Sequence, residues 1–262
     1  MTKPNVLVIG LGVVGTNVTR SLLSGPTIKD SNLGVYIYDK YNENFQTKDD
    51  VHYDVAFVCV NTPATKDSIC DITEVVCAIN EHDADVFVIK STVLPNQAKY
   101  LTTLSGKHIV ISPEYYGGTQ HCNNFKFDFT ILGGKQEDCI KVIQVLQKVY
   151  DATHKFRITT AETASLVKYM ENSYLATKVS FCNQFYDIAE QIGVSYEELR
   201  ELFILDPRVN PSHTFVYRDK PYWDSHCLNK DVSAIATEYD AELLFDVIKF
   251  NKHRKPEGDE NG

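Results

Sequence analysis

The chain has 262 residues, 43% of them hydrophobic and 23% charged, the proportions of a globular protein. A formal charge of −9, with no basic run longer than Lys252-His253-Arg254-Lys255, excludes nucleic acid and anionic membranes as expected partners. No stretch reaches transmembrane length and no signal peptide is expected; seven cysteines without framework spacing point to reduced thiols in a cytoplasmic setting.

Residues 6–9, apolar and rich in branched side chains, read as a buried strand. They run into Gly10-Leu11-Gly12-Val13-Val14-Gly15, glycines in G-x-G-x-x-G spacing, and then into a segment that can continue as a helix. In a dinucleotide-binding turn Gly10 permits the tight bend, Gly12 lets the backbone approach a pyrophosphate, and Gly15 lets the helix pack on the strand. The helix N-terminus offers unpaired N–H groups to the phosphates. A second strand, 34–38, ends in Asp39, 24 residues beyond Gly15, near the spacing of a ribose-binding acid. Such an acid accepts ribose hydroxyls and repels a 2′-phosphate, so NAD is the expected cofactor rather than NADP.

Residues 54–60 form a third apolar strand that exits into Asn61-Thr62-Pro63, at a strand end where ligands bind in open parallel sheets. A helix over 71–80 leads to a strand at 85–90, which exits into Ser91-Thr92, with Pro95 suited to begin another helix. Strands follow at 108–111, 127–132 and 155–158, with an amphipathic helix over 136–149. This alternation predicts an α/β fold with a doubly wound parallel Rossmann sheet over 1–158.

From 161 to about 193 a single helical pattern runs without proline, and Ser195 to Glu198 opens a further helix in capping-box form. A loop rich in proline, aromatics and histidine spans 206–226, a last helix covers about 232–253, and a polar tail follows. These predict a helical substrate and dimerisation domain at 159–253, built on a long central helix, and a disordered tail at 254–262.

Two groups of residues can carry chemistry. Lys168 and Asn172 are four apart on the long helix and share a face, with Ser165 beside Lys168. A lysine in a cleft acts as acid, base or fixed charge for an oxyanion; pattern alone puts a solvated lysine first. Cys227 lies among His226, Lys230 and Asp231, a setting that favours thiolate; the other reading is a capping loop before the last helix. No metal site is expected, because no C-x-x-C pair occurs and His213 and His226 read as loop histidines.

Taken together the chain resembles the nucleotide-sugar 6-dehydrogenases, the family of UDP-glucose 6-dehydrogenase. The matching pieces come in the family's order: the glycine turn, Asp39, Val58 to Pro63, Lys90 to Val93, Ser112 to Tyr115, Ala161 to Lys178, and Cys227-Leu228-Asn229-Lys230-Asp231. The resemblance implies oxidation of a primary alcohol to a carboxylate with two NAD. In that scheme Cys227 is the nucleophile of a thiohemiacetal and then a thioester, and Lys168 with Asn172 faces the oxyanion. Asp231 assists proton transfer, Thr92 places a water, and Glu114 serves thioester hydrolysis. Val60, Asn61, Thr62 and Lys230 match cofactor contacts.

Three positions depart from the family. Gly118 stands where it has a second acid, Tyr222 to Ser225 replaces a glycine-rich approach to the cysteine, and Asn229 replaces a proline. The sequence also ends where the family continues into a second Rossmann-like, nucleotide-binding domain, which leaves that surface to a partner chain or implies a differently held substrate. A nucleotide sugar is the expected substrate and a homodimer through the long helices the expected assembly. The competing expectations are a single hydride transfer using Lys168 and Asn172, and an NAD-binding protein without turnover.

Overall fold

The computed structural model describes residues 3–23, 33–47, 50–104, 106–115 and 127–256. The chain divides into two compact units, Met1–Pro63 with Cys70–Lys168, and Ala64–Ile69 with Tyr169–Gly262. The division falls inside one long helix, after Lys168.

The first unit is a seven-stranded sheet in the order β2-β1-β3-β4-β5-β6-β7. The strands are β1 (Asn5–Ile9), β2 (Gly34–Tyr38), β3 (Val55–Val58), β4 (Val86–Ile89), β5 (Ile109–Ile111), β6 (Phe129–Gly133) and β7 (Lys155–Thr159). The first five pair in parallel, with Val6 opposite both Val35 and Val55. Helices α1 (Val13–Leu23), α2 (Thr73–Glu81), α3 (Pro95–Leu101) and α4 (Gln136–Leu146) connect them.

Alternate strand residues supply two cores, one on each face of the sheet. Val6, Val8, Val55, Phe57, Val86 and Val88 pack with α1 and α4. Leu7, Ile9, Ala56, Val58, Phe87 and Ile89 pack with α2 and α3. Burial on both faces is why these strands read as continuous apolar runs.

The expected doubly wound parallel sheet is borne out, with one exception to its strand direction. β6 runs antiparallel to β5, joined through the Ile111–Gly133 pair, and β7 then runs parallel to β6. Side-chain alternation is the same for either strand direction, so pattern alone carries no sign of this reversal.

The second unit consists of the rest of α5 (Ala161–Ile192), α6 (Tyr196–Phe203), α7 (His226–Tyr239) and α8 (Glu242–Arg254). Ser195 caps α6, its Oγ accepting from the Glu198 amide. The single last helix expected over 232–253 is two helices. Asp240 adopts left-handed backbone, φ 50° and ψ 50°, and ends α7. The Cys227 loop is also corrected: Ser225 is an N-cap that accepts from Leu228 N at 3.1 Å, so Cys227 lies in the first turn of α7. Of the expected tail, residues 257–262 lie outside the described residues, while Arg254 is paired with Asp187 and donates to Pro221 O at 2.7 Å. Among the described residues no helix is long and apolar enough to cross a membrane.

Candidate functional site

The exits of β1 and β3 lie side by side where the strand order reverses direction, the place at which open α/β sheets bind ligands. Gly10 has φ +89° and donates its N–H to Tyr38 O at 2.8 Å; a Cβ there would lie 2.9 Å from Cys59 O. A Cβ on Gly15 would lie 1.8 Å from Gly10 O, so the start of α1 presses directly on the turn. Gly12 differs: nothing lies within 4 Å of its Cβ position, and it is exposed. Two glycines are therefore fixed by internal packing. The third leaves open space beside the N-terminus of α1, the cradle a pyrophosphate requires.

Asp39 sits against this turn. Its Oδ2 accepts from Leu11 N at 2.7 Å and its Oδ1 from Tyr41 N at 2.9 Å, which fixes the acid at the end of β2. Val60, Asn61 and Thr62 follow β3 and are tied to the turn after β4. Thr62 Oγ1 donates to Thr92 O at 2.8 Å, and Ser91 Oγ donates to Val60 O at 2.6 Å. The residues present thus fit a dinucleotide. Sequence reading included Lys90 in a matching motif but gave it no role; its Nζ donates to Ser112 Oγ at 2.9 Å, and burial lowers its pKa to about 8. Lysine at the end of an apolar strand was the available signal.

Glu114 and Lys168 are both 8% exposed. The solvated lysine that pattern favoured is therefore a buried one. Its Nζ lies 5.0 Å from the centroid of the Tyr115 ring, and Ser165, one turn earlier, donates to Val93 O at 2.5 Å. A helical wheel shows no partner across the fold, and here the partner covers the ammonium. Gly118 lies outside the described residues.

In the helical unit the candidate residues gather on α7 and the facing turn of α5. Asp231 is 1% exposed, and its two oxygens accept from Asn172 Nδ2 at 2.7 Å and Lys230 Nζ at 2.5 Å. The amide donor and the ammonium thus give each oxygen of this buried carboxylate a hydrogen-bond partner. Cys227, exposed, stands four residues earlier and so on the same helical face. A thiolate there sits in the favourable field of the helix N-terminus.

The Tyr222 to Ser225 stretch is fastened rather than flexible. Trp223 is buried with Ala176, Val232 and Val247; its backbone N–H donates to Asn251 Oδ1 at 2.9 Å, while its Nε1 donates to Ser180 Oγ at 3.0 Å. Asp224 takes Lys255, Asn229 and Lys220 as partners, which hold its carboxyl well below the usual carboxylate range. Asn229 thus has a task of its own in this chain, anchoring the segment before Cys227.

The glycine turn, the acid after β2 and the strand order define a dinucleotide-binding protein of Rossmann type. The NAD binding domain of the UDP-glucose/GDP-mannose dehydrogenase family matches residues 37–154, and that family's central domain matches residues 162–253. The chain belongs to the UDP-glucose/GDP-mannose dehydrogenase family. It is 28% identical over 233 residues to the UDP-glucose 6-dehydrogenase of Rickettsia felis, covering 82% of this chain and 50% of that protein. It is 28% identical over 226 residues to the GDP-mannose 6-dehydrogenase of Pseudomonas aeruginosa, covering 77% and 51%. The chain therefore spans about half the length of the curated relatives it matches. In fold it is similar to the UDP-D-ManNAc dehydrogenase of Pyrococcus horikoshii, with a TM-score of 0.76 over 95% of this chain and 68% of that one at 20% identity.

Proposed function

We propose that this chain serves the NAD-dependent oxidation of a nucleotide-sugar primary alcohol to the carboxylate, with Cys227 as nucleophile. The observation that carries this reading is the buried Asp231, held by Asn172 and Lys230 one helical turn from Cys227. NAD, when bound, accepts a hydride in each of two oxidations. Gly10, Gly12, Val13, Val14, Gly15, Asp39, Val60, Asn61, Thr62, Thr92 and Lys230 are the residues assigned to hold it.

In the first oxidation the alcohol loses a proton and a hydride and becomes an aldehyde. The sulfur of Cys227 then adds to the aldehyde carbon, giving a thiohemiacetal whose oxygen is stabilised by Lys168 and Asn172. Loss of a second hydride leaves a thioester. Water, placed by Thr92 and activated by Glu114, attacks that carbonyl, and the C–S bond breaks to release carboxylate and thiol; Asp231 relays the proton. A thiolate divides a difficult second oxidation into two easier steps.

We further assign a homodimer through α5. Met170, Tyr174, Phe181, Phe185, Ile188 and Ile192 recur at spacings of three, four and seven and are all exposed, Met170 by 74% and Ile192 by 68%. None of the six described cysteines forms a disulfide, which agrees with a reducing, cytoplasmic setting.

The test is NADH formation by the full chain with UDP-glucose, GDP-mannose and other nucleotide sugars. The reading expects two NADH per product and no accumulated aldehyde. One NADH per product would favour the single transfer by Lys168 and Asn172, and NAD binding without turnover on any sugar would overturn the enzyme reading.

A further inference from the structure

At the N-terminal edge of the parallel strands, away from the glycine turn, His108 precedes β5 and faces the first turn of α4. One ligand atom each from His108, Glu137 and Asp138 lies within 4.8 Å of the others. Asp138 is 1% exposed and neither of its carboxylate oxygens has a hydrogen-bond partner; His108 Nδ1 stands 2.9 Å from Oδ1.

The N-terminus of α4 accounts for acidic residues in its first turn. It does not account for a carboxylate sealed from water whose one contact is the His108 ion pair at Oδ1 and whose Oδ2 has no donor, an arrangement that is costly unless further charge compensates it. A histidine alone brings one N–H to one oxygen and leaves Oδ2 without a donor. A metal ion between the two takes the lone pair of a neutral imidazole and the charge of the carboxylate together. Two ligands about 2.1 Å from one ion stand roughly 3.0–3.4 Å apart, close to the separation of Nδ1 and Oδ1. His108 and Glu137 are exposed, so ion and water can enter from solvent.

We propose that His108, Glu137 and Asp138 bind a divalent first-row transition-metal ion of the zinc class, with water completing its coordination. The imidazole selects against magnesium and calcium, which prefer all-oxygen sites. This proposal uses none of the residues assigned to the chemistry at Cys227 and stands whether or not that reading holds.

The experiment is calorimetric titration of the metal-free full chain with zinc chloride, beside His108→Ala and Glu137→Gln. Both altered side chains are exposed, so the fold is expected to survive. The unaltered chain should bind zinc, and His108→Ala should weaken that binding at least about tenfold, the lower end of what losing even an outer partner of a metal site costs. Zinc should raise the melting temperature of the unaltered chain and not that of His108→Ala. No zinc binding by the unaltered chain, or equal affinity and equal melting shift in His108→Ala, would overturn the proposal.

Discussion

In the sheet unit every residue of β3 and β4 is buried, and the glycine turn is packed so closely that a Cβ on Gly15 meets backbone at 1.8 Å. The helical unit is built the other way. Its core is small, centred on Trp223, Ala176, Val232 and Val247, while Met170, Ile192, Leu205 and Leu243 are each more than two-thirds exposed. The first unit keeps its order by packing. The second keeps its order at a few polar locks, Asn172 with Lys230 on Asp231 and Lys220 with Lys255 on Asp224, and leaves large apolar side chains exposed. Substitutions should therefore fail in different ways in the two units.

The largest contrast is expected within the glycine turn itself. Gly15→Ala should cost at least about 3 kcal/mol in urea unfolding, because its Cβ meets a carbonyl that cannot swing aside. Gly12→Ala should change stability by no more than about 0.5 kcal/mol yet weaken NAD binding, since its Cβ enters open space. Equal losses of stability in the two variants would remove the distinction between packed and ligand-facing glycines.

In the helical unit Asn172→Ala strips one donor from the buried Asp231 and should cost about 1–3 kcal/mol. Chemical denaturation measures this, and an unchanged midpoint would show that the polar lock does not hold the unit together. Met170→Glu with Phe181→Glu touches only exposed positions. It should convert a dimer to a monomer by light scattering with little change in unfolding; an unaltered chain that is already monomeric would refute the α5 assembly.

The smallest effect concerns Lys90. The unfolded chain keeps this proton to about pH 10.5 and the folded chain only to about 8, so between those values the unfolded state binds more protons and this group's contribution to stability rises with pH. Below about pH 8 the full penalty of a buried cation is present. Cys59, pushed up to about 12 by burial, works in the opposite direction above 9.0, which makes pH 8 to 9 the window to read. The stability of the unaltered chain relative to Lys90→Met should increase across that window; a flat difference would contradict the depressed lysine.

The sheet unit was the more legible from sequence, and for a physical reason. Strands buried on both faces, such as β3 and β4, must be apolar throughout, and a tight turn at Gly10 must be glycine, so the residues themselves record the structure. What pattern missed depends on partners distant in sequence or on features without a residue signature. The reversal of β6 leaves no mark in side-chain alternation. The break between α7 and α8 rests on Asp240 in left-handed backbone, where neither glycine nor proline announces it. Ser225 as a cap was visible only as a serine among polar residues, and the burial of Lys168 depends on Tyr115, 53 positions away. Asn229 and Trp223 looked like departures from a family pattern until their bonds to Asp224 and Asn251 were seen.

The central claim is that Cys227 forms a covalent bond with the substrate. Incubating the chain with NAD and an accepted nucleotide sugar, quenching in acid and mapping peptides by mass spectrometry tests it directly. The account predicts an acyl adduct on Cys227, absent from Cys227→Ser, whose carboxylate formation should fall on the order of 10³-fold. Steady production of carboxylate by Cys227→Ser at the unaltered rate, with no adduct on the cysteine, would contradict it.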